Sequence, residues 1–231
     1  MRCRSLTARF FFFFFFFLQD EAPEVRLNVL SRLSLLADWM EPLSDSLMPS
    51  VLELVKDAHW RVRLAIVGAM PVFMSALGTA YFTSNMLPAL EESFADSVAK
   101  VRLEAANALI ELHAGAGDEW LQANVLPALK EKWESSTYYL QRITILEACK
   151  SLGKAKIGGE LLNDVSELTL KGLSDPVPNV RFAACEAAHS LFSVLDASGL
   201  PPFKSKLEGL LTDGDEDVKY YATQALDACA A

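Results

Sequence analysis

Residues 57–66 read Asp57-Ala58-His59-Trp60-Arg61-Val62-Arg63-Leu64-Ala65-Ile66. An acid, five residues and a base, with apolar residues spaced three and four apart from the base onward, form a frame used six times. The other instances are Asp20…Arg26, Asp96…Arg102, Asp175…Arg181 and Asp213…Lys219, with Ser136…Arg142 as the substituted member. Successive bases stand 37 to 40 residues apart. Self-similarity at that period marks a stack of two-helix units. A stack grows by adding neighbours, so the 231 residues need not divide into one or two closed globular domains.

From the residue before each base, the apolar positions run Val25-Val29-Leu33-Leu36, Val62-Ile66-Met70-Phe73, Val101-Ala105-Ala108-Leu112, Val180-Ala184-Ala187-Leu191 and Val218-Ala222-Ala225-Cys229. Steps of three and four place each set on one face of a helix. Upstream, Leu47-Met48-Pro49, Met86-Leu87-Pro88 and Val125-Leu126-Pro127 recur in the first helix of a unit, where proline is expected to bend the rod. The expected fold is all-α, a HEAT-repeat α–α superhelix of armadillo-like solenoid type. Its expected layout is a non-repeat segment at 1–19, the second helix of a truncated HEAT repeat at 20–38, and five HEAT repeats over 39–231. Their helix pairs fall near 42–76, 79–114, 117–153, 157–194 and 199–230.

The frame has a structural rationale. An Asp ahead of a helix accepts first-turn N–H groups, an interaction of about 1 kcal/mol. The base six residues later projects from the second turn toward the acid of the neighbouring unit. Asp57, Arg63, Asp96, Arg102, Asp175, Arg181, Asp213 and Lys219 are therefore expected to form an inter-repeat ladder.

Residues 1–19 obey none of these rules. They hold eight consecutive phenylalanines, Phe10 to Phe17, behind a basic start of Arg2, Arg4 and Arg9. Three readings stand side by side: a gene-model artefact in which a pyrimidine tract ending in CAG is translated, a signal or targeting segment, and a genuine tail. Leu18-Gln19-Asp20-Glu21 lacks the small residues of a cleavage site, and the apolar run is short of the roughly 20 residues a bilayer needs. With the lone second helix that follows, the artefact reading makes the chain a fragment of a longer stack.

Composition narrows the function. Hydrophobic residues make up 52% of the chain, enough for a continuous core between stacked pairs, and the net charge of −9 argues against a nucleic-acid partner. Neither a membrane partner nor a cofactor is expected. The four cysteines, Cys3, Cys149, Cys185 and Cys229, have no metal-clip spacing and read as packed thiols in a reducing compartment. His59, His113 and His189 are too dispersed for a local metal motif, and no nucleophile elbow or phosphate loop occurs. Enzyme activity is not expected. The expected location is the cytoplasm, with the nucleus also open.

Function then rests on the turns, where large aromatics are informative: Trp60 and Arg61, Tyr138 and Tyr139, and the stiff Asp175-Pro176-Val177-Pro178. Trp, Tyr and Arg dominate binding hot spots. The stretches DAHWRVRLAI (57–66), DPVPNVRF (175–182), DVKY (217–220) and EVRLN (24–28), with Glu119-Trp120 and Leu126-Pro127, resemble the scaffold (A) subunit family of protein phosphatase 2A. The likeness runs from Asp20 to the C-terminus and spans the family's last five repeats and part of one before. It implies a non-catalytic scaffold that holds the phosphatase catalytic subunit along intra-repeat turns. By matching position, the implied contacts are Trp60, Arg61, Val98, Tyr139, Arg142, Val177 and Pro178. The regulatory subunit would join only through the assembled complex, because its binding repeats have no counterpart here. Ala99 stands where the family has tyrosine, Ser136 replaces the acid and Gln141 replaces histidine, which weakens the correspondence at the third and fourth turns. Two alternatives remain: a generic HEAT scaffold with another partner and, more remotely, a HEAT-like lyase.

Overall fold

Every regular element among the described residues is a helix. The computed structural model describes residues 16–36 and 44–230, so the expectations for residues 1–15, Cys3 included, and for 37–43 and 231 lie outside them. The chain divides into two compact units between Glu104 and Ala105. The first contains α1 (Pro23–Leu30), a 3₁₀ turn (Leu33–Leu36), α2 (Ser44–Glu53) with a 3₁₀ extension (Leu54–Lys56), α3 (Trp60–Leu77), α4 (Thr79–Asn85) and α5 (Leu87–Ser93). The division falls inside α6 (Ala99–Asn124). The second unit continues through α7 (Leu126–Ser135), α8 (Tyr139–Lys154), α9 (Gly159–Gly172), α10 (Pro178–Leu191), α11 (Leu200–Leu210) and α12 (Glu216–Ala230).

Apolar periodicity builds these helices. Val62, Ile66, Met70 and Phe73 of α3 are fully buried, as are Val180, Ala184, Ala187 and Leu191 of α10. By length and composition α3 could cross a membrane, yet Arg61 and Arg63 stand near its start and seven of its residues, Val62 to Met74, are buried within the protein. The first stripe departs from expectation. Leu33 is buried as expected, but Val25 and Val29 are only half-buried and Leu30, outside the stripe, is buried. The helix stops after eight residues, at Leu30, and a 3₁₀ turn takes over at Leu33, so no single α-helical face runs through the whole stripe.

The prolines also act differently from one another. Pro49 lies inside α2, but Pro88 and Pro127 sit in the first turn of α5 and α7, just after short breaks at Met86 and Val125. A proline there forfeits no intrahelical bond, so the rod is interrupted and restarted rather than bent. Gly117, with φ 78 and ψ 177, interrupts α6 in a conformation closed to most side chains.

Arginine joins successive helix pairs. Arg63 donates from Nη1 to the Asp57 carbonyl of its own turn (2.8 Å), while Nε and Nη2 fork onto the Asp96 carboxylate (2.7 and 2.9 Å). Arg181 does the same, with Asp175 O at 2.9 Å and Asp213 at 2.8 and 2.7 Å. Arg142 reaches Asp175 at 2.7 and 3.1 Å, and Arg26 reaches Asp57 through Nη2 at 3.1 Å, with Nε 2.9 Å from the other oxygen. Arg102 bonds the Asp96 carbonyl at 2.7 Å. Lys219, which has no fork, pairs with Glu216 of its own helix at 2.6 Å. These bidentate pairs are largely shielded, with 14% of the Arg63 side chain and 10% of that of Asp96 exposed, so they outweigh ordinary surface ion pairs.

Arg63→Ala strands the Asp96 carboxylate and the Asp57 carbonyl together, and should lower stability by roughly 2 kcal/mol in urea titration, with Arg63→Lys recovering only part. The Arg63 and Arg181 guanidiniums hold the Asp96 and Asp213 carboxyls below the usual carboxylate range. Depressed folded values give stability that is full above the unfolded pKa of about 3.9 and is lost as pH falls through the lower folded value. Asp96→Asn should therefore flatten the acid limb of the stability profile, measured from about pH 5 down to pH 2. A packing test is independent of charge. A Cβ on Gly153 would lie 2.9 Å from the Ser190 carbonyl carbon, backbone against side chain between α8 and α10. Gly153→Ala should destabilise by about 1–3 kcal/mol in the same titration.

Candidate functional site

The turns entering the second helices share one construction. Oδ1 of Asp57 accepts the His59 N–H (2.7 Å), Asp96 that of Val98 (2.7 Å), Asp175 that of Val177 (2.9 Å), Asp213 that of Asp215 (3.0 Å) and Asp20 that of Ala22 (2.9 Å). The acid therefore stands two residues before the helix cap rather than capping the first turn itself, because the arginine must also reach the acid's carbonyl. The cap residues are extended, His59 at φ −90 and ψ 111 and Val177 at φ −90 and ψ 121, and neither caps with its side chain. The substituted turn is wired differently: Ser136 Oγ donates to the Tyr138 carbonyl at 2.9 Å, and Arg142 Nη1 is 3.3 Å from the Ser136 carbonyl.

An acid folded inward and an arginine behind it leave the residues at the helix start at the surface of the turn. In the first unit, Trp60 is half-buried and Arg61 is exposed, with its Cζ 4.5 Å from the centroid of the indole ring. The Lys100 Nζ stands 5.7 Å from the same centroid, and Val98 is half-buried nearby in sequence. In the second unit, Tyr138 is 59% exposed and meets the half-buried Tyr139 edge-on at 5.5 Å. Val177 and Pro178 are half-buried, with Pro178 in the first turn of α10. Of the residues expected as partner contacts, Arg142 has a different setting: its guanidinium is engaged by Asp175 and only 14% of its side chain is exposed.

Lys100 was missing from the sequence-based set, although a signal for it existed. It occupies the same place in its frame as Arg61 does one period earlier. Tyr138, the helix cap, is more open than Tyr139, the first helical residue, a difference that two adjacent tyrosines do not reveal in sequence.

Chemistry elsewhere is muted. Burial pushes the Cys149 and Cys185 thiols up to about 12, so both stay protonated and weakly nucleophilic. Cys229 is half-buried. His113 Nε2 lies 2.8 Å from Asp118 Oδ1, and the other Asp118 oxygen accepts the Gly158 N–H at 3.1 Å. This contact ties two turns together. Among the described residues, no three His, Cys, Asp or Glu side chains converge to hold a metal ion.

The HEAT repeat family profile matches residues 167–195. No curated protein matches the chain. Among solved structures, it is similar to a designed armadillo repeat protein in complex with the peptide (KR)4, at a TM-score of 0.51 and 19% identity, covering 94% of this chain and 98% of the other. It is also similar to Cex1p, at a TM-score of 0.60 and 15% identity, covering 87% of this chain and 40% of Cex1p. With helices as the sole regular elements described and frames that recur in phase, the chain has an all-helical repeat fold of the HEAT/armadillo kind.

Proposed function

We propose that the chain is a non-catalytic scaffold that docks the catalytic subunit of a protein phosphatase 2A through its intra-repeat turns. The observation that carries this reading is the cluster of Trp60, Arg61 and Lys100, a large indole with two cations at its faces, held on a turn that the Arg63 fork fixes from behind. A rigid aromatic with adjacent cations loses little entropy on docking and supplies both contact area and charge. The stretch DAHWRVRLAI, on which the family resemblance chiefly rests, is the segment that builds this cluster. Tyr139, Val177 and Pro178 are the corresponding contacts on the second unit. Arg142 acts on the partner by holding its turn in register rather than by direct pairing. Regulatory subunits join through the assembled complex, and the setting is the cytoplasm, with the nucleus also open.

The test measures affinity for purified catalytic subunit by biolayer interferometry. Trp60→Ala with Arg61→Ala should weaken binding by about 30-fold, equivalent to roughly 2 kcal/mol, with the thermal unfolding curve unchanged because both side chains lie outside the Arg63 fork. Undiminished binding removes Trp60 and Arg61 from the interface. Failure of the parent chain to bind any catalytic subunit overturns the phosphatase reading and leaves a scaffold for another protein.

A further inference from the structure

One frame in the second unit departs from the others at its first residue. Where the other five carry a carboxylate, Ser136 carries a hydroxyl. The bonding of the turn is reversed with it. Each acid accepts the backbone N–H two residues on, whereas Ser136 Oγ donates to the Tyr138 carbonyl at 2.9 Å. That carbonyl also accepts the Gln141 N–H at 3.0 Å, in the first turn of α8. The arginine behind the turn is held less closely too. Arg142 Nη1 lies 3.3 Å from the Ser136 carbonyl, against 2.8 Å for Arg63 and 2.9 Å for Arg181 in acid-bearing turns.

The same hydroxyl is open to chemistry. Its bond to Tyr138 lies at the surface, and Ser135, Thr137 and Tyr138 are exposed around it. The backbone is extended at Ser136 (φ −79, ψ 115) and at Tyr138 (φ −104, ψ 116), between the end of α7 and the start of α8. A surface hydroxyl on extended backbone can enter the cleft of a modifying enzyme without either helix unwinding.

We propose that Ser136 is a phosphorylation site, at which a protein kinase supplies the charge that the other turns carry permanently. Oγ attacks the γ-phosphorus of a nucleoside triphosphate, and the bond from that phosphorus to the β-phosphate oxygen breaks. The hydroxyl proton passes to the base of the kinase, and nucleoside diphosphate leaves. Esterification removes the hydrogen that Oγ donates, so the bond to the Tyr138 carbonyl is lost. In its place come phosphoryl oxygens with a charge of about −1.5 to −2, beside the first N–H groups of α8. The turn then adopts the acid-bearing construction, with the Tyr138 N–H as donor. This assignment does not depend on which protein the turns hold.

The experiment has two arms, both on the full chain. In the first, the chain is incubated with magnesium, ATP and a panel of purified serine/threonine kinases, and phosphate is located by tandem mass spectrometry. Uptake at Ser136 is expected. In the second, phosphoserine is encoded genetically at 136 and, as a control, at 135, the last residue of α7. Phosphoserine at 136 should raise Tm by about 2–4 °C, and Ser136→Asp should raise it likewise. Hydrogen exchange at the Tyr138 amide should slow by about tenfold in both. Phosphoserine at 135 puts the charge at the negative end of a helix and should give neither effect. Phosphate confined to Ser135 or Thr137, none at Ser136 with any kinase, or an unprotected Tyr138 amide in the 136 phosphoprotein would each overturn the proposal. So would an equal gain from phosphoserine at 135, because the effect would then follow net charge alone.

Discussion

A guanidinium shared between two turns is the interaction on which the rest depends. Its one edge closes the loop that enters its own helix, and its other edge holds the carboxylate of the next loop. That carboxylate in turn accepts a backbone N–H, so loop shape and repeat register are fixed by the same few atoms. Arginine's planar fork suits this double bond better than an ammonium does, and Lys219, in the last frame, pairs with Glu216 of its own helix instead. The largely buried positions of these groups mean that each must be satisfied, and the near-complete pairing makes the geometry stiff.

Stiffness of the loops has a functional reading. Side chains at the helix start are displayed on backbone that is already held, while the faces behind them are small and closely packed. Ala184 and Ala187 let α10 lie close to its neighbours, and Gly153 meets the next helix at backbone distance. The stack is open at the turns, where Arg61 and Tyr138 are exposed.

Most of this architecture was legible in the sequence because it repeats. One acid–base pair is uninformative, but six in phase fix the helix order and locate the buried stripes at Val62-Ile66-Met70-Phe73 and its equivalents. What escaped depended on local backbone geometry. Periodicity alone cannot tell an α-helix from a 3₁₀ turn, so Leu33 was placed correctly in the core while the burial of Leu30, with Val25 and Val29 only half-buried, was not visible. Proline spacing was clear, but whether a proline bends a helix or begins one depends on whether the chain breaks just upstream, here at the caps Met86 and Val125 two residues before each proline. At the candidate site, Trp60 and Arg61 could be picked from composition, whereas Lys100 needed the frames to be overlaid. Arg142 looked the same as Arg61 in chemistry and differed in place: counting the acid as the first residue of a frame, the seventh points to the next loop, while the fifth, Arg61, is exposed on its own turn.

The doubly bonded arginine also sets how the protein carries force. Within each unit, a pull along the stack passes from loop to loop through short charged contacts arranged in series, while the apolar helix faces slide in shear beside them. Such contacts are strong over tenths of an ångström and nearly absent beyond a Debye length. A load is therefore borne stiffly at first and then released one loop at a time, so that extension comes in discrete yields rather than as a smooth stretch.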